Sequence, residues 1–180
     1  MSDLRGQVVS DQGLVHQVRS IEKDHSAIRR AFGSVPSGVS VLATNLQGHM
    51  HAMVASSFMV GVSLDPCLMA IAIQKTSESW PHVRQAGILG MSVFGEGQGS
   101  LVHQLSSKDR ARRFDGIAVE TDELGAVYVE GAAMWFQTRI HDEAEAGDHW
   151  MVLLEVLRSG TADATEPLLW HKSKIRRIVD

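Results

Sequence analysis

The stretch AGDHWMVLLEV (146–156) sets Gly147, Asp148 and His149 directly before an apolar run, Trp150 to Val156. An imidazole at the mouth of a strand can move a proton near neutral pH or contact a cofactor. The ordinary alternative is a histidine at a strand edge. VASSFMVGVSLDPCL (54–68) opens on Val54, Ala55, Ser56 and Ser57. Small side chains on a strand let a flat ring approach the backbone, whose polar groups and serine hydroxyls can bond the ring's edge. Solvent-facing strand serines would look the same. IQKTSESWP (73–81) places Lys75, Thr76, Ser77 and Ser79 where a strand gives way to a helix. Amides, hydroxyls and a cation there suit a phosphate, and plain helix capping needs the same residue types. SKDRARRFDG (107–116) holds four positive charges between Lys108 and Arg113. They form either a solvated face or a basic lip over a phosphate or pyrophosphate.

Other chemistries fail on spacing. The nine histidines are scattered, with no H-x-x-x-H and no C-x-x-C, so no metal site is expected. Cys67 stands in an apolar strand, and no serine lies in a G-x-S-x-G elbow, so a nucleophilic triad is unsupported. GEGQGS (95–100) has the spacing G-x-G-x-G rather than G-x-G-x-x-G, and reads as a loop. A dinucleotide would therefore not be held in the Rossmann way.

These residues need elements to position them. With 180 residues, 44% of them hydrophobic and 21% charged, the chain has the size and composition of one globular domain. Residues 1–20 show no clear period, and 1–24 read as a leader or arm, leaving 25–180 as the domain. A short amphipathic helix begins near Asp24, with Asp24 or Ser26 as cap, Ile28, Ala31 and Phe32 on one face, and Pro36 and Gly38 at its close. Strands are expected at 38–46, 53–64, 67–73, 88–94, 126–129, 131–144, 149–160, 167–171 and 173–179. Short helices are expected at 77–87, 97–107 and 108–114. Many strands with few short helices imply a β-barrel with helical insertions rather than a parallel α/β sheet.

The formal charge of −4 argues against a nucleic-acid partner. No apolar run approaches the roughly 20 residues that span a bilayer. A single cysteine and the lack of a signal-peptide pattern in MSDLRGQVVSDQG point to the cytoplasm.

In combination these segments resemble the short-chain flavin reductases, the reductase components of two-component flavin-dependent monooxygenases. The resemblance runs from about Ile28 to Ile178. Its landmarks come in the family's order: IRRAFGSVPSGVSVLAT, ASSFMVGVSLDPCL, QKTSESWPHVR, ARRFDG and GDHWMVLLEV, then PLLWHKSKIRRI. The resemblance implies a mainly β fold with short helices, a split β-barrel of the FMN-binding type, working as a homodimer. It implies hydride transfer from NADH or NADPH to FMN or FAD, and a partner monooxygenase that receives the reduced flavin. On that analogy Val54, Ala55, Ser56 and Ser57 meet the ring edge, with Ser37 and Gly38 nearby. Lys75, Thr76, Ser77 and Trp80 line the phosphate end, and Arg113 and Phe114 close over the flavin tail. His149 helps place the nicotinamide, and Asp148 orients it or ends the turn. Gly147 lets the backbone pass close to the ring. Two departures stand out: one residue in excess between Phe58 and VSLDP, and Cys67 where the family usually has a second proline. The alternatives are a non-reducing split-barrel carrier or sensor of flavin or haem, and an oxidase of the pyridoxamine-phosphate oxidase kind.

Overall fold

The computed structural model describes residues 25–178. The leader read over 1–24, and Asp24 as a cap, lie outside the described residues. The chain opens with helix α1 (His25–Phe32) and a two-residue strand β1 (Ser37–Gly38). Strands β2 (Ser40–Leu46) and β3 (His49–Ala55) form a hairpin closed by Gln47 and Gly48. Both turn residues have positive φ, 52° and 85°, as the tight I′ turn requires. Strand β4 (Phe58–Leu64) is followed by β5 (Cys67–Gln74), the short helix α2 (Trp80–Val83) and β6 (Leu89–Val93). A 3₁₀ turn at Glu96–Gln98 leads into α3 (Gly99–Leu105), and a second 3₁₀ turn spans Arg110–Arg112. Then come β7 (Val119–Thr121), β8 (Val127–Val129), β9 (Met134–Ala146), β10 (His149–Thr161), β11 (Leu169–His171) and β12 (Lys174–Arg176).

Seven strands make one antiparallel sheet in the order β3-β2-β6-β9-β10-β5-β4. Side chains alternate across it, and each face covers its own core. On β2, Leu42 enters a cluster with Met53, Met69, Ile71, Val152 and Leu154. Its neighbours Val41 and Ala43 enter a second cluster with Phe94, Leu105, Val127 and Leu168. Gly90 on β6 makes room for β8, because a Cβ there would overlap the Val127 carbonyl. Among the described residues no helix is long and apolar enough to cross a membrane.

Several expectations change. The strand read over 53–64 is two strands, broken at Ser56–Ser57. The helix read over 77–87 contracts to Trp80–Val83, with Pro81 in its first turn. The helix read over 108–114 is a single 3₁₀ turn. Strand β7 was not expected at all. Cys67 is exposed at the start of β5, and burial begins at Leu68. Along β4 the pairing jumps between Met59 and Ser63, with Gly61 at φ 71°. This bulge falls where the chain carries its excess residue.

The β7–β8 hairpin is held by one carboxylate. Asp122 accepts from the Leu124 amide (2.9 Å), the Ala126 amide (3.0 Å), the Tyr128 hydroxyl (3.0 Å) and Gln137 Nε2 on β9 (2.6 Å). Burial alone would raise its pKa, but the four bonds outweigh it and hold the carboxyl below its ordinary 3.8. Burial, and then the same contact, push Tyr128 up to about 12. Asp122→Ala is expected to lower stability by about 3 kcal/mol, since it strands a tyrosine and a glutamine. The wild-type contribution should be full above the ordinary carboxyl value and be lost as pH falls through the lower folded value. Urea titrations of both proteins between neutral and acid pH check this. An acid limb equally steep in the variant would show that Asp122 is not its source.

Candidate functional site

The register of β10 on β5 places the Gly-Asp-His segment. His149 pairs with Gln74, Met151 with Ala72 and Leu153 with Ala70. Residues directly opposite share a face, so His149 and Met151 stand outside while Trp150, Val152 and Leu154 point into the core. Ser57 lies opposite Ala72, whose amide donates to the Ser57 carbonyl at 2.9 Å. Ser57 and His149 therefore share the outer face across β5, with α-carbons about 12 Å apart from strand spacing and rise.

Asp148 Oδ1 accepts from His149 Nδ1 at 2.7 Å. The bond from His149, and then its charge, hold the Asp148 carboxyl below its usual range. With Nδ1 committed, Nε2 is the nitrogen left for a ligand. Neutral imidazole can accept there, and imidazolium can donate. Gly147 has φ 64° at the first position of a two-residue turn, the II′ pattern. A Cβ at Gly147 would meet nothing within 4 Å. The glycine serves the turn's dihedral, and the space beside it is open.

The Lys75–Ser79 turn is tied to the same end. The Lys75 amide donates to the Asp148 carbonyl at 2.9 Å. Lys75 Nζ pairs with Glu145 at 2.9 Å and lies 5.3 Å from the Trp150 ring centre. Ser56 and Thr76 are exposed, and Val54 and Ala55 are half-buried. Ser37 and Gly38 pair with β11, and a Cβ at Gly38 would come within 3.0 Å of the Phe58 ring, so β1 adjoins the start of β4.

Four expected ligand residues also make contacts within the fold. Ser57 Oγ donates to the Ala72 carbonyl at 2.7 Å, and Ser77 Oγ accepts from the Trp80 amide at 3.2 Å. Trp80 is buried in the first core and Phe114 borders the second. Arg113 is also not a free cation over a surface. It is 8% exposed and donates to the carbonyls of Ser107 (2.8 Å) and Ala52 (2.6 Å) and to Ser79 Oγ (2.8 Å). Burial, and then Arg110, lower its pKa, while Glu78 acts the other way.

Residues 32–179 match the family described as flavin reductase like domain. The chain belongs to this family. A flavin reductase of Pseudomonas putida is 31% identical over 150 residues, 83% of this chain and 87% of the relative. The reductase component of 4-hydroxyphenylacetate 3-monooxygenase from Thermus thermophilus is 29% identical, over 85% of this chain and 96% of its own. The solved NADH:FAD oxidoreductase of Streptomyces globisporus, in complex with NAD and FAD fragments, superposes with a TM-score of 0.82 at 28% identity. That match covers 90% of this chain and 96% of the other. The fold is thus the split barrel of the NAD(P)H-dependent flavin reductases.

Sequence reasoning missed a group near the Lys75–Ser79 turn. His51 on β3 and His82 on α2 stack with ring centres 5.2 Å apart and planes 2° apart. They line a cavity of about 490 Å³ with His49, Arg110, Phe114 and Asp115. Burial, and then His82, His49 and Arg110, lower the His51 pKa. His51 and His82 are 31 positions apart in the chain, and sequence spacing does not show that they stack. Among the described residues no group of three or more His, Cys, Asp or Glu is placed to hold a metal.

Arg113→Met is expected to destabilise the flavin reductase by about 3 kcal/mol, because it removes three charged donors and leaves their acceptors without partners. Arg113→Lys should recover less than half of that, since one ammonium cannot reach all three acceptors. Urea midpoints measure both. A lysine variant as stable as wild type would mean that the guanidinium geometry is not needed.

Proposed function

We propose that this chain is an NAD(P)H:flavin oxidoreductase that supplies reduced flavin to a partner monooxygenase. NADH or NADPH is oxidised and gives up a hydride. FMN or FAD is reduced, taking the hydride at its ring together with one proton from outside. The observation that carries the reading is the imidazole of His149, fixed by Asp148 on the sheet face that also presents Ser57. The donor set fits a flavin. Ser56 and Thr76 offer exposed hydroxyls, Ala55 offers no bulk, and Lys75 offers a cation at the turn.

Each residue has a limited task. Ser56 and the backbone at 54–57 bond the ring's polar edge. Lys75 and Thr76 meet the phosphate, with Ser77 holding the turn rather than the ligand. His149 Nε2 contacts the nicotinamide carboxamide and so restricts the angle at which the two rings meet. As imidazolium it can also hold the proton that the reduced ring takes up. Asp148 acts through His149 by fixing its tautomer. The reading is of a cytoplasmic protein.

His149→Ala is expected to lower kcat/KM for the nicotinamide about 100-fold while changing the flavin Kd less than threefold. Stopped-flow NADH oxidation and equilibrium flavin titration separate the two quantities. Equal losses in both would remove the assigned role, and no NADH or NADPH oxidation with either flavin would end the reductase reading.

The homodimer is proposed on an exposed edge. β4 ends the sheet, and Met59, Val60, Val62 and Leu64 on it are exposed at 59, 56, 39 and 87%. Four apolar side chains on one open strand invite a second strand or sheet face. The chain should sediment at twice 19.7 kDa, and a Val62→Lys, Leu64→Lys pair should shift it toward that single mass. A wild-type protein that sediments as a monomer at micromolar concentration would rule out the pairing.

A further inference from the structure

A second cavity, of about 550 Å³, lies between the β7–β8 ribbon and the end of the β9–β10 hairpin far from His149. Arg158 on its wall stands roughly 30 Å along β10 from His149, by the rise of a strand. The volume is that of a small-molecule pocket. Its aromatic walls are fixed from behind. Trp135 Nε1 donates to the Val129 carbonyl at 2.8 Å, and the Tyr128 hydroxyl donates to Asp122 at 3.0 Å. Both polar handles are used within the fold, so the rings offer the cavity apolar surface. Gly160 lies opposite Trp135 in the ladder, and a Cβ there would come within 3.8 Å of the indole. The missing side chain leaves that part of the indole uncovered.

Opposite charges face the cavity from different elements. Glu120 and Glu130 come from the β7–β8 ribbon, and Arg158 comes from β10. All three are exposed, and among the described residues none has an ion-pair partner. Asp122, the acid behind Tyr128, already accepts four bonds. Acids and cation therefore line one cavity without pairing across it, and a ligand that carries both signs would satisfy both. We propose that this cavity binds the zwitterion of an aromatic amino acid. Its carboxylate lies on Arg158, whose planar fork suits two oxygens. Its ammonium turns toward Glu120 and Glu130, and its ring packs on Trp135. An aromatic acid without the amine would face two unpaired carboxylates, and an amine without the carboxylate would face the guanidinium. The site is an addition to the flavin reductase and does not depend on the hydride-transfer reading.

The full-length protein is titrated calorimetrically with L-phenylalanine, with hydrocinnamate, which lacks the amine, and with phenethylamine, which lacks the carboxylate. L-Phenylalanine should bind with a Kd below about 1 mM and about tenfold more tightly than either analogue. Arg158→Gln removes a group with no partner in the fold, so it should fold normally. It should lose about tenfold in L-phenylalanine affinity and bind phenethylamine as well as wild type or better. Glu120→Gln with Glu130→Gln should also weaken L-phenylalanine, and should leave hydrocinnamate unchanged or tighter. Gly160→Leu fills the space beside Trp135 and should abolish binding of all three. Arg158→Gln carries the test if that variant does not fold. An L-phenylalanine Kd above about 1 mM, an analogue that binds as tightly, or an Arg158→Gln protein that binds like wild type would each overturn the proposal. So would competition by FMN, FAD or NADH, which would give the cavity to the redox ligands. A wild type that binds L-phenylalanine but oxidises neither NADH nor NADPH would end the reductase reading and leave this site standing.

Discussion

The register of β10 against β5 is the constraint from which the site follows. Seven pairs, His149–Gln74 through Glu155–Leu68, lock the two strands. Trp150, Val152 and Leu154 face Ile73, Ile71 and Met69 inside the core. A slip of one residue would turn that row to solvent and carry His149 inward. Burying a large apolar side chain stabilises by about 1.5–3 kcal/mol, so these residues together hold the register by many kcal/mol. The bond between His149 and fully exposed Asp148 is screened by water and adds little to the register. The imidazole's position is therefore inherited from the core, and Asp148 only sets its rotation and tautomer.

The hairpin turn serves the same register. Gly147 and Asp148 join β9 to β10 in two residues, and the Asp148 carbonyl accepts the Lys75 amide as well. One short turn thus aligns the imidazole and anchors the start of the phosphate turn. The β9–β10 ladder has two register shifts farther along, after Leu153 and after Val156. They absorb the twist of two long strands away from the site, leaving the paired end near His149 regular.

What could be read from the sequence follows run length and turn chemistry. β5, β6 and β10 are long apolar runs flanked by Gly, Pro or polar residues, and they stand where expected. The 53–64 segment reads as one strand because its break, Ser56–Ser57, has neither glycine nor proline to mark it. β7 has three residues, too few to show a period. Residue chemistry and family resemblance together point to the ligand residues, and neither tells which side chains also bond within the fold. Ser57, Ser77 and Arg113 also bond within the fold, while Trp80 is buried with its Nε1–H unpartnered among the described residues. The His51–His82 stack joins residues far apart in the chain, and periodicity has no means of showing such a pair.

Arg110 and Arg113 illustrate that limit and its physical cause. In sequence they are equal members of one basic cluster. In the fold the 3₁₀ turn of Arg110–Arg112 points them differently. Arg113 turns inward, where acceptors on β3, Ser79 and Ser107 offset the cost of removing its charge from water. That strut joins the three segments that frame the histidine cavity. Arg110 gives one bond to the Glu78 carbonyl and otherwise faces the opening. Its charge raises the electrostatic cost of keeping Arg113 protonated, and Arg113 is the less able of the two to move.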